Sequence, residues 1–146
     1  MKVRDENKFL AQVFQSIRVE VNDELEVIRT LLSDSSKYIK KGAILIVEST
    51  VYPSVTRTMA TEYIQKVRNL KINKDFFIGY SPERINPGDK VNNFNTISKV
   101  TSGSNQSVAD WIDKLYGSVI EAGTYKAPSI KVAEASKIVE NVQRDI

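Results

Sequence analysis

Residues 43–49 read AILIVES, an apolar run without alternation that ends in a glutamate and a serine. A run of this length is typical of a strand that is buried on both faces, as in a parallel sheet. The residues before this strand are typical of a helix. Asn22 can serve as the N-cap of that helix, and Gly42 follows two lysines at the end of the helix. The sequence therefore predicts a helix over about residues 23–39 that leads into a buried strand.

Helix and strand patterns continue to alternate to the end of the chain. Apolar residues recur at helical spacing in residues 56–67, 107–116 and 130–146. Strand patterns lie between these segments, in residues 75–81, 96–104 and 118–123. This order predicts an α/β fold, in which helices cover a parallel sheet and the crossovers are right-handed. Sites in such folds form where loops leave the carboxyl ends of the strands.

Two of the predicted helices carry an apolar face that we expect to pack inward. These faces hold Met59, Tyr63, Ile64 and Val67 in the first helix, and Val108, Trp111, Ile112 and Leu115 in the second. The lone tryptophan is therefore interpreted as a packing residue.

The composition restricts the chemistry that this chain can perform. Its 146 residues include neither cysteine nor histidine, which excludes disulfides, thiolate nucleophiles, His-based triads and Cys/His zinc sites. The net charge is +3, and the basic clusters at 37–41 and 66–74 indicate solvated surface rather than a nucleic-acid patch. No apolar run approaches the roughly 20 residues that span a bilayer, and the polar start is unlike a signal peptide. We therefore expect a cytoplasmic protein.

The turn after the first strand, STVYPS (49–54), places two hydroxyls at a strand exit. Ser49 and Thr50 could donate to a phosphate, a ribose or an ordered water. They could equally cap the helix that follows. The residues alone favour capping.

The loop YSPERINPGDK (80–90) combines turn formers with opposite charges at the end of the second strand. A carboxylate at Glu83 could act as a general base or hold a ligand hydroxyl. The guanidinium of Arg84 could bind a phosphate or a sugar carboxylate in a bidentate manner. The alternative is a salt bridge on a surface loop.

Lys137 and Asn141 lie four residues apart and share one face of the last predicted helix. An ammonium beside an amide could stabilise a developing oxyanion. The alternative, an exposed polar helix face, is favoured by spacing alone.

Four stretches together resemble the nucleotide-sugar 6-dehydrogenases of the UDP-glucose/GDP-mannose dehydrogenase family, and most closely the UDP-N-acetyl-hexosamine dehydrogenases of surface polysaccharide synthesis. They are ESTVYP (48–53), NKDFFIGYSPERINPGDK (73–90), KVTSGS (99–104) and APSIKVAEASKIVENVQRDI (127–146). The resemblance covers about residues 24–146 and implies a partial Rossmann-like parallel sheet, with a long connector helix at the C-terminus. It also implies NAD as the cofactor and a UDP-sugar as the substrate, whose C6 hydroxyl is oxidised to a carboxylate in two steps.

The resemblance also implies catalytic roles. Ser49 and Thr50 would bind the cofactor near its nicotinamide, and Thr50 would order the hydrolytic water. Glu83 would be the general base of thioester hydrolysis, and Lys137 and Asn141 would stabilise the oxyanion.

The same resemblance implies which residues bind the substrate, and the sequence differs from the family pattern at two positions. Arg84 and Asn86 would help to hold the nucleotide sugar. Pro87 stands where UDP-glucose dehydrogenases have a second glutamate, which favours the N-acetyl subgroup. Ser54 stands where the family usually has glycine, which would tighten the turn after Thr50.

Two features of these enzymes are absent from the sequence: a dinucleotide-binding GxGxxG loop and the catalytic cysteine. We therefore expect the second half of a cofactor domain (residues 33–128) and the start of a connector helix (129–146), unable to turn over substrate alone.

The segment NKFLAQVFQSIRVEVNDELEVIRTLL (7–32) resembles the ribosomal RNA cytosine N4-methyltransferases instead. The resemblance implies that residues 1–32 are a separate helical segment, with one helix before Asn22, and that the chain is a chimera. Methyl transfer and RNA binding are not expected, because the rest of the methyltransferase cofactor site is missing.

Two functions therefore stay open. The chain is either a fragment of a nucleotide-sugar dehydrogenase or a structural α/β domain without activity. Because half a sheet leaves an unpaired edge and an uncovered apolar face, we expect a homodimer in both cases.

Overall fold

The computed structural model describes residues 26–27, 29–30, 33–34, 36–84 and 96–145. The described residues from 26 to 36 are helical, in agreement with the helix predicted over residues 23–39, and the chain turns at Lys37 and Tyr38. The helix predicted before Asn22, and with it most of the segment 1–32, lies outside the described residues.

Strands and helices alternate through the rest of the described chain, as predicted. In order they are β1 (Ile44–Val47), α1 (Val55–Ala60), β2 (Phe77–Tyr80), β3 (Lys99–Thr101), α2 (Gln106–Gly117), β4 (Thr124–Lys126) and α3 (Ile130–Asp145). Helix α1 continues directly into a π-helical stretch, Thr61–Lys66. The side chain of Asn105 caps α2, since it accepts a hydrogen bond from the amide of Val108 at 3.0 Å.

The strands form two parallel pairs. β1 pairs with β2 from Ile44 opposite Phe77 to Val47 opposite Tyr80, and β3 pairs with β4. The expected parallel α/β sheet is confirmed within these pairs.

The two pairs meet in an antiparallel arrangement, which the sequence did not predict. Gly79 and Gly103 form an antiparallel bridge, and the amide of Ser104 donates to the carbonyl of Ile78 at 2.8 Å. A parallel neighbour needs a long crossover that is usually helical, and no helix pattern separates β2 from β3. An antiparallel contact needs no such crossover and is therefore compatible with this sequence.

The strand predicted at residues 118–123 is wrong. The chain makes turns there, with Ile120 buried at their centre, and Gly123 adopts a φ of 76°. The strand β4 begins only after this glycine. Of its two large apolar residues Ile120 is buried, whereas Val119 is 56% exposed.

The central core lies between β2, α1 and the start of α3. Its buried members are Val51, Ala60, Ile64, Phe76, Ile78, Tyr80, Ala127, Ile130 and Ala133. Met59, Val108 and Ile112 are also buried, as predicted.

Three residues of the predicted inward faces point outward instead. Val67 is 69% exposed, because the wider π-helical turns before it change which positions face the sheet. Trp111 and Leu115 are 51% and 42% exposed, because α2 packs through Val108, Ala109 and Ile112. Of the two packing roles open to Trp111, in the core or at the surface, its exposure agrees with the surface one.

Strand β1 is less buried than its apolar sequence predicts. All four of its residues are partly exposed, and in the described part of the chain β1 pairs only with β2. Among the described helices, none is both long and apolar enough to cross a bilayer.

Candidate active site

Charged side chains gather at the end of the sheet where β1 and β2 finish. Glu48 follows β1, Glu83 follows β2, and Lys99 begins β3. The Nζ atom of Lys99 lies 3.1 Å from Oε1 of Glu48 and 3.3 Å from Oε2 of Glu83. The predicted general base is therefore paired with an ammonium that the sequence did not single out.

Tyr116, near the end of α2, completes this group. Its hydroxyl donates to Oε1 of Glu48 at 2.7 Å, and its ring centre lies 5.2 Å from Nζ of Lys99. Burial, together with the hydrogen bond to Glu48, raises the pKa of Tyr116 well above its usual range. The phenol is therefore held in its neutral, donating form at physiological pH.

A second group of charges lies beside the first and includes Arg84 and Lys137. Nε of Arg84 donates to Oε1 of Glu140 at 2.9 Å, and a terminal nitrogen of Arg84 donates to the carbonyl of Ser98 at 2.9 Å. Nζ of Lys137 lies 3.6 Å from Oε2 of the same glutamate. Glu140 thus bridges Arg84, the candidate substrate-binding residue, and Lys137, the candidate oxyanion-stabilising residue.

The exposed polar face proposed as an alternative for Lys137 is wrong, because its side chain is only 7% exposed. Asn141 is half-buried, and its Oδ1 atom is buried without a hydrogen-bond partner among the described residues. Buried polar atoms in proteins are normally paired. Lys137 and Asn141 therefore present a buried ammonium and an unsatisfied amide oxygen on one face of α3.

Ser49 and Thr50 are exposed just beyond β1. The capping role that the residues alone favoured is wrong, because α1 begins only at Val55 and its N-cap position is Ser54. Their hydroxyls instead stand at the carboxyl edge of the sheet. Asn86 and Pro87 lie outside the described residues.

Glu134 in α3 supplies the cap that α1 needs. Its side chain is completely buried, and its carboxylate accepts from the amides of Ser54 at 2.5 Å and Thr56 at 3.0 Å. Ser54 has a φ of 80°, a conformation that favours glycine. The substitution of serine for the family's usual glycine therefore falls on a strained backbone position.

Five residues of this region were not identified from the sequence: Glu48, Lys99, Tyr116, Glu134 and Glu140. Two of them had a local signal, since Glu48 adjoins the Ser49–Thr50 turn and Glu140 lies three residues after Lys137. The other three take their roles from contacts with residues distant in sequence.

This partial parallel sheet, with polar groups at its strand exits, defines a Rossmann-like α/β domain. Residues 15–120 match the sequence model described as the NAD binding domain of the UDP-glucose/GDP-mannose dehydrogenase family. The chain belongs to this family.

Named relatives agree with this assignment. The chain is 47% identical over 140 residues to a UDP-N-acetyl-D-glucosamine 6-dehydrogenase of Pseudomonas aeruginosa, which covers 96% of this chain and 33% of that protein. It is 41% identical over 145 residues to the enzyme of the same name from Salmonella typhi, covering 99% of this chain and 34% of that protein. The chain thus spans about a third of the length of these relatives.

Solved structures show the same fold. A UDP-D-ManNAc dehydrogenase from Pyrococcus horikoshii superposes with a TM-score of 0.75 at 27% identity, over 83% of this chain and 28% of that one. An NDP-N-acetyl-D-galactosaminuronic acid dehydrogenase from Methanosarcina mazei gives a TM-score of 0.73 at 27% identity, over 82% of this chain and 25% of that one.

These alignments bear on the N-terminal segment. The match to the Salmonella typhi enzyme includes 145 of the 146 residues, and therefore nearly all of residues 7–32. The segment that resembles methyltransferases thus also aligns with a dehydrogenase, which argues against a chimera.

Proposed function

We propose that this chain is a segment of a UDP-N-acetyl-hexosamine 6-dehydrogenase and that it carries part of the substrate site. The observation that carries the proposal is the pair of contacts by which Glu140 joins Lys137 to Arg84, the residue next to Glu83. The names of the relatives support the substrate class.

The proposed roles follow the chemistry of each group. Glu83 takes a proton from the hydrolytic water, which Thr50 orders from the neighbouring strand exit. Lys137 and the Nδ2 group of Asn141 donate to the oxyanion. The buried Oδ1 of Asn141, which has no partner among the described residues, can accept a hydrogen bond from a ligand hydroxyl. Arg84, with Asn86 in the same loop, holds the nucleotide sugar.

The fit of NAD to the described residues is limited to one end of the cofactor. The exposed hydroxyls of Ser49 and Thr50 stand where the nicotinamide portion would lie, at the carboxyl edge of the sheet. Bound NAD would supply the hydride acceptor. The sequence holds no GxGxxG loop for the pyrophosphate, so we expect this chain to bind NAD weakly by itself.

We further propose that the 146 residues alone do not oxidise a UDP-sugar, because they include no cysteine to form the thioester. Incubation with NAD and UDP-N-acetylglucosamine should leave the absorbance of NADH at its baseline. A steady rise with substrate would contradict this.

The domain division at residues 33–128 and 129–146 stays part of the proposal, as does cytoplasmic location.

The partly exposed β1, paired on one side only in the described chain, supports a homodimer formed at that edge. Light scattering at increasing protein concentration tests this. A monomer mass throughout would exclude the dimer.

The experiment that tests the proposed site is an amide-correlation NMR titration with UDP-N-acetylglucosamine. Saturable shifts at Thr50, Glu83, Arg84 and Lys137 are expected. UDP is the control ligand, since it lacks the sugar and should leave Lys137 unchanged. A dispersed spectrum without shifts would favour the alternative, a structural α/β domain that has no activity.

A further inference from the structure

Lys99 is a buried cation in the candidate site. It begins the KVTSGS stretch (99–104), but none of the roles proposed above uses it. Its side chain is only 4% exposed, whereas those of its partners Glu48 and Glu83 are 52% and 46% exposed. An ammonium taken this far out of water needs close negative charge. The buried partner in this arrangement is the lysine, and the carboxylates lie above it toward solvent.

The contacts of Lys99 join four separate parts of the fold. Its backbone begins β3, its ammonium pairs with residues that follow β1 and β2, and it lies against the ring of Tyr116 from α2. Tyr116 in turn donates to Glu48, so that this carboxylate has two donors on one oxygen. The position of the ammonium is therefore fixed from several sides.

Glu83 is held at both of its oxygens. Oε2 faces Lys99 at 3.3 Å, and Oε1 accepts from the amide of Arg84 at 2.7 Å. Both donors favour the ionised carboxylate. A general base must be ionised and correctly oriented before it can accept a proton. These two contacts favour the ionised form and fix the orientation of the carboxylate.

We propose that Lys99 is a positioning residue that keeps the carboxylate of Glu83 ionised and directed toward the end of the sheet. The base role of Glu83 rests on the proposed function, whereas its pairing with Lys99 is observed directly. Lys99 acts through Glu83 and is not assigned any contact with substrate.

Other charges also surround Glu83 and must be considered. Glu48 repels it, the phenol of Tyr116 stands nearby, and Arg84 follows it in sequence with its guanidinium turned to Glu140. Glu48 competes with Glu83 for the same ammonium. Removal of Lys99 should therefore raise the titration midpoint of Glu83, and removal of Glu48 should lower it.

The test follows the Arg84 amide resonance through an acid titration of the whole chain, because this amide donates directly to Glu83. In the Lys99→Met variant, the midpoint should move to higher pH by about one unit, since a positive charge beside the carboxylate is lost. Lys99→Arg keeps the charge and should restore the wild-type midpoint. An unchanged midpoint in Lys99→Met would overturn the proposal.

A second variant decides the matter if Lys99→Met does not fold. Glu48→Gln removes a like charge that competes with Glu83 for Lys99, so the midpoint should move to lower pH. A shift to higher pH would overturn the proposal. The UDP-sugar titration is independent of this test: its failure would remove the proposed function, while the Arg84 titration would still report the pairing.

Discussion

Replacement of Glu134 by glutamine should destabilise the fold, because this buried carboxylate is the cap of helix α1. Both of its oxygens accept backbone hydrogen bonds, from Ser54 and Thr56. Glutamine has nearly the same shape but only one acceptor oxygen, and its amide nitrogen would face one of the two N–H donors. One backbone donor therefore loses its partner inside the protein.

The size of the effect can be worked from these contacts. A buried donor left unsatisfied costs about 1–3 kcal/mol, and a hydrogen bond to a charged acceptor that becomes neutral loses about 1 kcal/mol more. We expect the free energy of unfolding to fall by about 2–4 kcal/mol. At this chain length each kcal/mol corresponds to about 2–4 °C, so the Tm should fall by roughly 4–16 °C.

Urea denaturation followed by circular dichroism measures this change. Glu62→Gln is the control, because this glutamate lies exposed on the π-helical stretch that continues α1. Substitutions at such exposed positions usually change the free energy of unfolding by less than about 0.5 kcal/mol. A Glu134→Gln variant as stable as wild type, or more so, would refute the reasoning. It would show that the desolvation of an ionised Glu134 outweighs its two hydrogen bonds.

Three further predictions concern other parts of the fold. Ser54→Gly should raise the free energy of unfolding by about 0.5–1 kcal/mol in the same denaturation assay, since glycine relieves the positive φ at this position; a loss of stability would contradict that account. Gly103→Ala should unfold the domain or lower its stability by more than about 2 kcal/mol, because the new Cβ would lie 2.4 Å from the amide nitrogen of Ala109, a backbone atom that cannot move aside; a native-like spectrum with unchanged Tm would be inconsistent with the packing. Stability should also decline as the pH rises from 10 to 12, because burial raises the pKa of Tyr80 from its usual value near 10 to about 12. The unfolded chain then releases its tyrosine proton before the folded chain does, and Tyr80→Phe should flatten this part of the pH profile.

Part of the candidate site was predictable from the sequence. Glu83 and Lys137 were identified from their places at a strand exit and on a helix face, and the structure brings each into a charged group beside the same sheet edge. Their places at a strand exit and on a helix could be predicted because such patterns are a few residues long, whereas their catalytic roles stay a prediction. The same patterns could not decide that Lys137 is buried, since spacing alone indicated an exposed face.

Other errors have the same origin. A capping role for Ser49 and Thr50 was the natural reading of hydroxyls before a helix, yet the cap comes from Glu134, 80 residues after Ser54. The outward turn of Val67 depends on the π-helical stretch before it, which has no recognised local signature. The strand predicted at residues 118–123 is wrong because the backbone amides there bond within turns, as in the contact from Ile120 to the carbonyl of Tyr116.

The sequence by itself determined the order of helices and strands, the α/β class and the family, because these depend on local periodicity and on short motifs. Only the tertiary structure decided that β3 runs antiparallel to β2, that Glu134 caps α1, and that Lys99 stands between two carboxylates. Lys99 and Glu48 are 51 residues apart, and Arg84 and Glu140 are 56 apart. Pairs this distant form only when the whole chain packs, and burial then gives their charges an importance that no local pattern contains.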